Sequence, residues 1–304
     1  MNVIVLGGRG FIGNHVVARL RAVGHEVSTV GRTTGDAGGA GEVEHITCDL
    51  FDAEAPLCEL LSKHDACIHL VGDLVPGSAE KAGWDGYLRN LLLAERLASA
   101  CIAAGIGHLV FASSGGTVYG RDVLGATEDM ACRPIGLYGA QKLAIESLLR
   151  ARLLRSRTRL VLMRVCNPYG MGQESQRAHG VIGRILNGMR NGSGFTIWGD
   201  GTQVRDYVHV RDVADAFAKA IDYAGESDTF NIGSGRGITM DELLASCADV
   251  TGVTLSCSNR PKAEYEVDRI SLDISLASQY LHWRPEASLG AGLYSYYQEL
   301  LETT

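Results

Sequence analysis

The sequence predicts an α/β protein built on a doubly wound parallel sheet, followed by a smaller C-terminal part. Three observations carry the prediction. Short β-branched runs alternate with helical patterns through the first half of the chain. Those runs are apolar at nearly every position, as strands covered on both faces must be. The 38 glycines against 6 prolines suit a chain with many tight strand-to-helix turns.

In chain order the strand candidates are Val3–Leu6, Val27–Val30, His45–Cys48, Ala66–Leu70, His108–Ala112 and Leu160–Arg164. Helical patterns lie between them at about 11–23, 54–63, 85–104 and 138–155. Beyond residue 166 the rhythm loosens. A helix is expected at about 177–190, then glycine-rich turns at 191–194 and 198–201, and a strand at about 203–208. A helix at about 211–223, a buried strand at Thr229–Ile232 and helices at about 239–251 and 290–302 complete the reading. Residues 34–41 read as a mobile loop.

Composition narrows the function. The 304 residues carry 28 Lys+Arg against 35 Asp+Glu, a formal net charge of −7. That acidic balance argues against non-specific nucleic-acid binding, which needs a basic face to neutralise phosphates. No segment approaches the ~20 apolar residues of a membrane span. The eight cysteines form no Cys-x-x-Cys pair and no zinc-ligand spacing, so reduced thiols in a cytoplasmic protein are expected.

The first chemical motif is Gly7-Gly8-Arg9-Gly10-Phe11-Ile12-Gly13, directly after the first strand and opening the first helix. Glycines at 7, 10 and 13 let the backbone turn sharply, approach a pyrophosphate and pack helix against strand. The helix N-terminus then offers free N–H groups and a positive dipole end. This predicts a dinucleotide-binding (Rossmann) domain over residues 1–165, with about 205–232 returning to it, and a mainly substrate-binding part over 166–304. The choice between NAD and NADP stays open. An acidic residue ending the second strand would hold the ribose 2′-OH, but the chain reads Val30-Gly31-Arg32-Thr33 there. Arg32 fits a 2′-phosphate as a fork, or a solvated arginine stacked on adenine. Asp49, ending the third strand, is placed to accept from the adenine amino group, or else to cap a helix.

Tyr138 and Lys142 stand four apart and share one helix face. A free tyrosine titrates near ~10, so service as a base near neutral pH needs a depression of ~3 units, about 4 kcal/mol. A neighbouring ammonium and a cationic nicotinamide can supply it by favouring the phenolate. Upstream, Phe111-Ala112-Ser113-Ser114-Gly115-Gly116-Thr117-Val118-Tyr119-Gly120 puts hydroxyls at the carboxyl end of a strand.

Glycine turn, strand-end hydroxyls and Tyr-x-x-x-Lys, in that order, resemble the extended short-chain dehydrogenase/reductases, specifically the NAD-dependent epimerase/dehydratase family acting on sugar nucleotides. The resemblance runs over essentially the whole chain, through Asp49-Leu50, His69-Leu70-Val71-Gly72, Asn90, Arg164 to Gly170, Trp198 to Val208 and Asn231 to Gly235. It implies that Tyr138 is the acid/base and that Lys142 binds the nicotinamide ribose. Leu70, Val71, Gly72 and Ser113 would line the cofactor site, and Asn90 would fix the helix beside it. Asn167 and Arg205 would hold the sugar nucleotide, Arg205 through the diphosphate. Other readings of these two are a strand-end cap for Asn167 and a surface ion pair with Asp206 for Arg205. The resemblance also implies a homodimer through the helices at about 85–104 and 138–155.

Two departures stand out. Gly115 occupies the place where many epimerases carry a catalytic Ser or Thr, leaving Ser114 and Thr117 as the flanking hydroxyls, with Thr117 favoured. The family's Arg-x-Gly-Asp stretch is replaced by Arg260-Pro261-Lys262 and, further on, Val267-Asp268. The carboxylate pair of the 4,6-dehydratases is missing, since Gly116 and Thr117 stand there. The expected activity is therefore C4 epimerisation of a sugar nucleotide. The alternative is an NADPH-dependent 4-keto-sugar reductase, and a catalytically dead dinucleotide-sensing module ranks last.

Overall fold

The structure is a computed structural model that describes residues 1–32, 43–173 and 180–303. The loop expected at 34–41 and the start of the helix expected at about 177 lie outside the described residues. The N-terminal half runs β1 (Asn2–Leu6), α1 (Phe11–Ala22), β2 (Glu26–Gly31), β3 (Glu44–Thr47), α2 (Leu57–Leu61), β4 (Ala66–His69) and α3 (Pro76–Ala104). It continues with β5 (His108–Ser114), α4 (Gly115–Val118), β6 (Asp122–Ala126), α5 (Leu137–Leu153) and β7 (Arg159–Val165).

Seven strands make one sheet in the order β3-β2-β1-β4-β5-β7 and then Thr229–Ile232, with every neighbouring pair parallel. The order reverses next to β1, which opens a crevice at the carboxyl ends of the strands. Alternation of side chains explains why the strands read as unbroken apolar runs. Val3 and Val5 pack with Val110, Met163, Phe217 and Trp283 on one face. Ile4 and Leu6 pack with Leu93, Leu97, Phe111 and Leu149 on the other. The sheet is buried on both sides by helices.

A second sheet, in the order Gly237–Thr239, Val204–Asp206, Arg269–Leu272 and β6, was not expected from the sequence. Its β6 comes from the first half of the chain and pairs in parallel with Arg269–Leu272. A further parallel pair joins Phe195–Trp198 to Cys257–Arg260. These strands are three to five residues long, and their partners lie far away in sequence, so no local pattern announces them. The expected strand at 203–208 is split into Val204–Asp206 and Val208–His209, which pair in different sheets.

Helix α3 begins nine residues before its expected start. Gly83 interrupts it with φ +58° and ψ −149°, so the stretch from Pro76 to Ala82 is a separate turn joined to a regular helix. The sequence pattern marks only the part beyond this break, because only there does one face pack on the sheet.

Candidate active site

The glycine turn has the geometry its spacing demands. Gly7 sits at φ +85°. A Cβ on Gly13 would stand 2.1 Å from the Gly7 carbonyl oxygen, so only glycine lets α1 press on the turn. Gly10 is the N-cap of α1, with no side chain capping the helix and no acidic residue in its first turn. The first N–H groups of Phe11, Ile12 and Gly13 thus point at an uncapped, electropositive end. Leu70 and Val71 form the opposite wall, with a Val71 methyl 3.1 Å from a Cβ built on Gly7. A nicotinamide dinucleotide fits this cradle, since the glycines at 7, 10 and 13 leave backbone where a phosphate approaches.

Around the cradle the other expected cofactor residues fall as follows. Arg32 is exposed at the end of β2. Asp49 is exposed, and its carboxylate accepts the Phe51 N–H at 3.1 Å; Leu50 is buried. Gly72 lies beside the Asn90 side chain, and Asn90 is buried, donating to Asp73 Oδ1 at 2.5 Å and to the Gly86 carbonyl at 2.9 Å. Gln141 of α5 donates to the Gly86 and Tyr87 carbonyls, tying α5 to the same turn of α3.

Tyr138 and Lys142 lie in the first two turns of α5. Lys142 Nζ donates to the Ala112 carbonyl at 2.9 Å and lies 5.8 Å from the Tyr138 ring centroid. Burial draws the ammonium down to about 8, opposed by the Glu146 carboxylate one turn further along. Burial also pushes the Tyr138 phenol up to about 12. Desolvation is the cause of the upward shift at Tyr138. The hydrogen bond to Ala112 leaves the Lys142 ammonium two further donors.

The two hydroxyls meet: Thr117 Oγ1 donates to Ser114 Oγ at 2.9 Å. Thr117 lines one cavity with Tyr138, Gly136 and Tyr265. Gly115 has no room for a side chain, because a Cβ there would stand 2.7 Å from the Arg164 carbonyl oxygen and from a Leu272 methyl. The hydroxyls at this strand end therefore come from the flanking Ser114 and Thr117.

Ser113 has another partner. Its hydroxyl donates to Glu146 Oε1 at 2.5 Å, and Glu146 is fully buried. Arg164 grips the same carboxylate with Nε at 3.1 Å and Nη2 at 2.7 Å, and reaches Tyr119 Oη with Nη1 at 2.9 Å. Tyr119 in turn donates to Asn231 Oδ1 at 2.6 Å. This clamp beneath the catalytic helix joins β5, α5, β7 and the strand Thr229–Ile232. Glu146 escaped the sequence reading, although its spacing of four from Lys142 could have marked it.

Of the residues expected to hold substrate, Asn167 donates to the Asp206 carbonyl at 3.0 Å and stands beside Gly116. Arg205 donates to the carbonyls of Val204, Asp268 and Val267. It forms no ion pair with Asp206, whose buried carboxylate accepts from Ser234, Gly235 and Leu272. Arg260 is exposed at the end of its strand, and Lys262 pairs with Asp268. A larger cleft of about 610 Å³ runs past Gly199, Asp200, Gln203, Lys262 and Arg269.

Residues 3–233 match the NAD dependent epimerase/dehydratase family. The chain belongs to that family. It is 33% identical over 306 residues to a UDP-glucose 4-epimerase of Mycolicibacterium smegmatis, covering 96% of each chain. It is 32% identical over 239 residues to a dTDP-4-dehydro-6-deoxyglucose reductase of Escherichia coli, covering 78% of this chain and 76% of the relative. Among solved structures, MoeE5 in complex with UDP-glucuronic acid and NAD superposes with a TM-score of 0.91 at 30% identity, covering 100% of both chains. The family's motif residues thus divide in two. Gly7, Gly10, Gly13, Tyr138 and Lys142 build the turn after β1 and the first turns of α5, while Tyr119, Arg164, Asp206 and Asn231 fasten the second sheet to the first.

Proposed function

We propose that this family member is an NAD-dependent sugar-nucleotide epimerase that inverts C4 through a transient 4-keto sugar. The observation that carries the reading is the convergence of Tyr138, Lys142 and the Ser114–Thr117 hydroxyl pair at the carboxyl edge of the sheet, beside the glycine cradle. Bound on Gly7 to Gly13 and Leu70 to Gly72, the dinucleotide supplies a hydride acceptor that also returns the hydride. Tyr138 takes the C4 hydroxyl proton and gives it back, and its phenol, at about 12, must be lowered by positive charge arriving with the cofactor. Lys142 holds the ribose hydroxyls and Thr117 orients the sugar hydroxyl. Asn167 and Arg205 keep the nucleotide in place while the sugar turns. Gly116 and Thr117 offer no carboxylate for elimination, which argues against dehydration.

The second reading, an NADPH-dependent 4-keto-sugar reductase, is favoured by the reductase relative and by the absence of an acidic residue at Gly31 and Arg32. One assay separates the two. The protein is given UDP-, dTDP- and GDP-hexoses without added reductant, and products are followed by NMR. Interconversion of C4 epimers with no net change in nicotinamide absorbance is expected, and it should disappear in Tyr138→Phe. Stoichiometric NADPH consumption on a 4-keto sugar, with no epimer formed anywhere in the panel, would install the reductase instead.

The same reading includes a homodimer and a cytoplasmic location. Trp84, Leu88 and Leu92 stand four apart on α3, exposed at 71%, 49% and 61%, an apolar stripe suited to a partner helix. Sedimentation should give twice the monomer mass, and Leu92→Glu should halve it. The cysteines are all free thiols, in keeping with a reducing compartment, and no described helix is long and apolar enough to cross a membrane.

A further inference from the structure

The turn set off by Gly83 brings a carboxylate to the N-terminal end of α5, beside Tyr138. Glu80 reaches from Pro76–Ala82 to α5, where it accepts the N–H of Leu137 at 2.6 Å, one residue before Tyr138. Gly136, the N-cap of α5, has no side chain to do this. Glu80 therefore caps the catalytic helix from another element, with its charge at the helix's positive end. It lines one cavity with Pro76, Thr117, Gly136, Tyr138 and Tyr265. No Lys, Arg or His lines that cavity, and Glu80 makes no ion pair among the described residues.

On the C4-epimerase reading, a sugar whose C4 hydroxyl meets Tyr138 brings the groups on either side of C4 toward these walls. In a hexose those groups are hydroxyls, which can donate to a carboxylate. In a uronic acid the group beyond C5 is a carboxylate, and two like charges a few Å apart in a partly desolvated cavity repel. We propose that Glu80 is a charge filter, admitting sugars with neutral groups beside C4 and rejecting those with an anion there, so that the substrate is a neutral hexose nucleotide. This rests on the C4-epimerase reading.

Glu80→Gln tests it. Glutamine keeps the side-chain length and an oxygen for the Leu137 N–H, and removes only the charge. Wild type and variant, both loaded with NAD, are compared on UDP-glucose and UDP-glucuronic acid, by NMR for epimer formation and by calorimetry for binding. The wild type should favour UDP-glucose in kcat/KM by at least about tenfold, and the substitution should shrink that preference by at least about tenfold, chiefly through the KM for the uronate. A preference untouched by Glu80→Gln, or a wild type that handles both sugars equally, would overturn the filter. The wild-type comparison alone can do so, whatever the variant's stability. If neither sugar is epimerised, the C4 reading fails on its own account and calorimetry decides the filter. The variant must then gain at least about tenfold in relative affinity for UDP-glucuronic acid, and absence of that gain overturns it.

Discussion

The cofactor side and the sugar side of this crevice are built in opposite ways. The cradle is backbone, made by consecutive residues from Gly7 to Gly13 and closed by close approach, with a Cβ on Gly13 only 2.1 Å from the Gly7 oxygen. The side proposed for the sugar is side chain, assembled from Glu80, Thr117, Tyr138 and the segment around Tyr265 and Val267, which Arg205 holds through the Val267 carbonyl. A site made of one peptide stretch tolerates almost no substitution but reads directly from sequence. A site assembled from distant segments takes its shape from whatever holds those segments, here the clamp of Glu146, Arg164, Tyr119 and Asn231 and the four donors on Asp206. The first kind fixes a shared cofactor, and the second is free to vary with the substrate.

The contrast is most easily broken at Gly13. In Gly13→Ala the added methyl must displace α1 from the turn, so NAD affinity should fall at least about 100-fold, or ~2.7 kcal/mol, measured by calorimetry. An alanine variant that binds NAD within threefold of wild type would show that the cradle is looser than its geometry.

Acid should loosen the cradle's underside next. His69 ends β4, is 2% exposed, stacks near Phe111 at 5.4 Å, and its Nδ1 has no partner among the described residues. Burial, with Lys142 nearby, lowers its pKa to about 3. Between that value and the ordinary 6.5 the unfolded chain binds more protons than the folded one. Stability is therefore full above pH 6.5 and is lost as pH falls toward 3, by up to about 5 kcal/mol from this one ring. Denaturant titrations from pH 7 to 4 should show a clearly shallower decline for His69→Asn, whose amide does not titrate. Parallel slopes would remove His69 as the cause.

Arg205 sharpens the comparison on the other side, with the smallest effect. A charge-assisted contact to a diphosphate is worth ~1.5–3 kcal/mol, so Arg205→Ala should raise the sugar-nucleotide KM about ten- to hundredfold, and Arg205→Lys should recover part of it. Its three carbonyl partners mean that the alanine variant also frees the segment around Val267. An unchanged KM would leave Arg205 with that structural duty alone.

Legibility followed the same division. The parallel sheet, its six N-terminal strands and the glycine turn were readable because each depends on residues next to one another: apolar runs, β-branched content and a strand-turn-helix order. Tyr138 and Lys142 were readable from a spacing of four. The second sheet was not, because β6 and Arg269–Leu272 are short and find each other across most of the chain. Ser113 and Glu146 show the same limit at single-residue scale, since a strand-end serine looks alike whether it faces a cofactor or a buried carboxylate. Glu80 was hidden by Gly83, which ends the helical periodicity just after it.

That glycine has a wider consequence. With φ +58°, ψ −149° and nothing within 4 Å of a built Cβ, Gly83 is held by its backbone angles alone, in a region essentially reserved for glycine where an L-residue would cost about 1–3 kcal/mol. It is a seam in an otherwise continuous helix. Downstream, Asn90, Leu93 and Leu97 stay locked against the sheet whatever happens upstream. In the short turn before the seam Ala79 is buried and Glu80 caps α5, so the positions open to change are the exposed ones, Gly77, Lys81 and Ala82. On the role proposed for Glu80, those few residues are a cassette through which a lineage can change its sugar while inheriting its cofactor site intact.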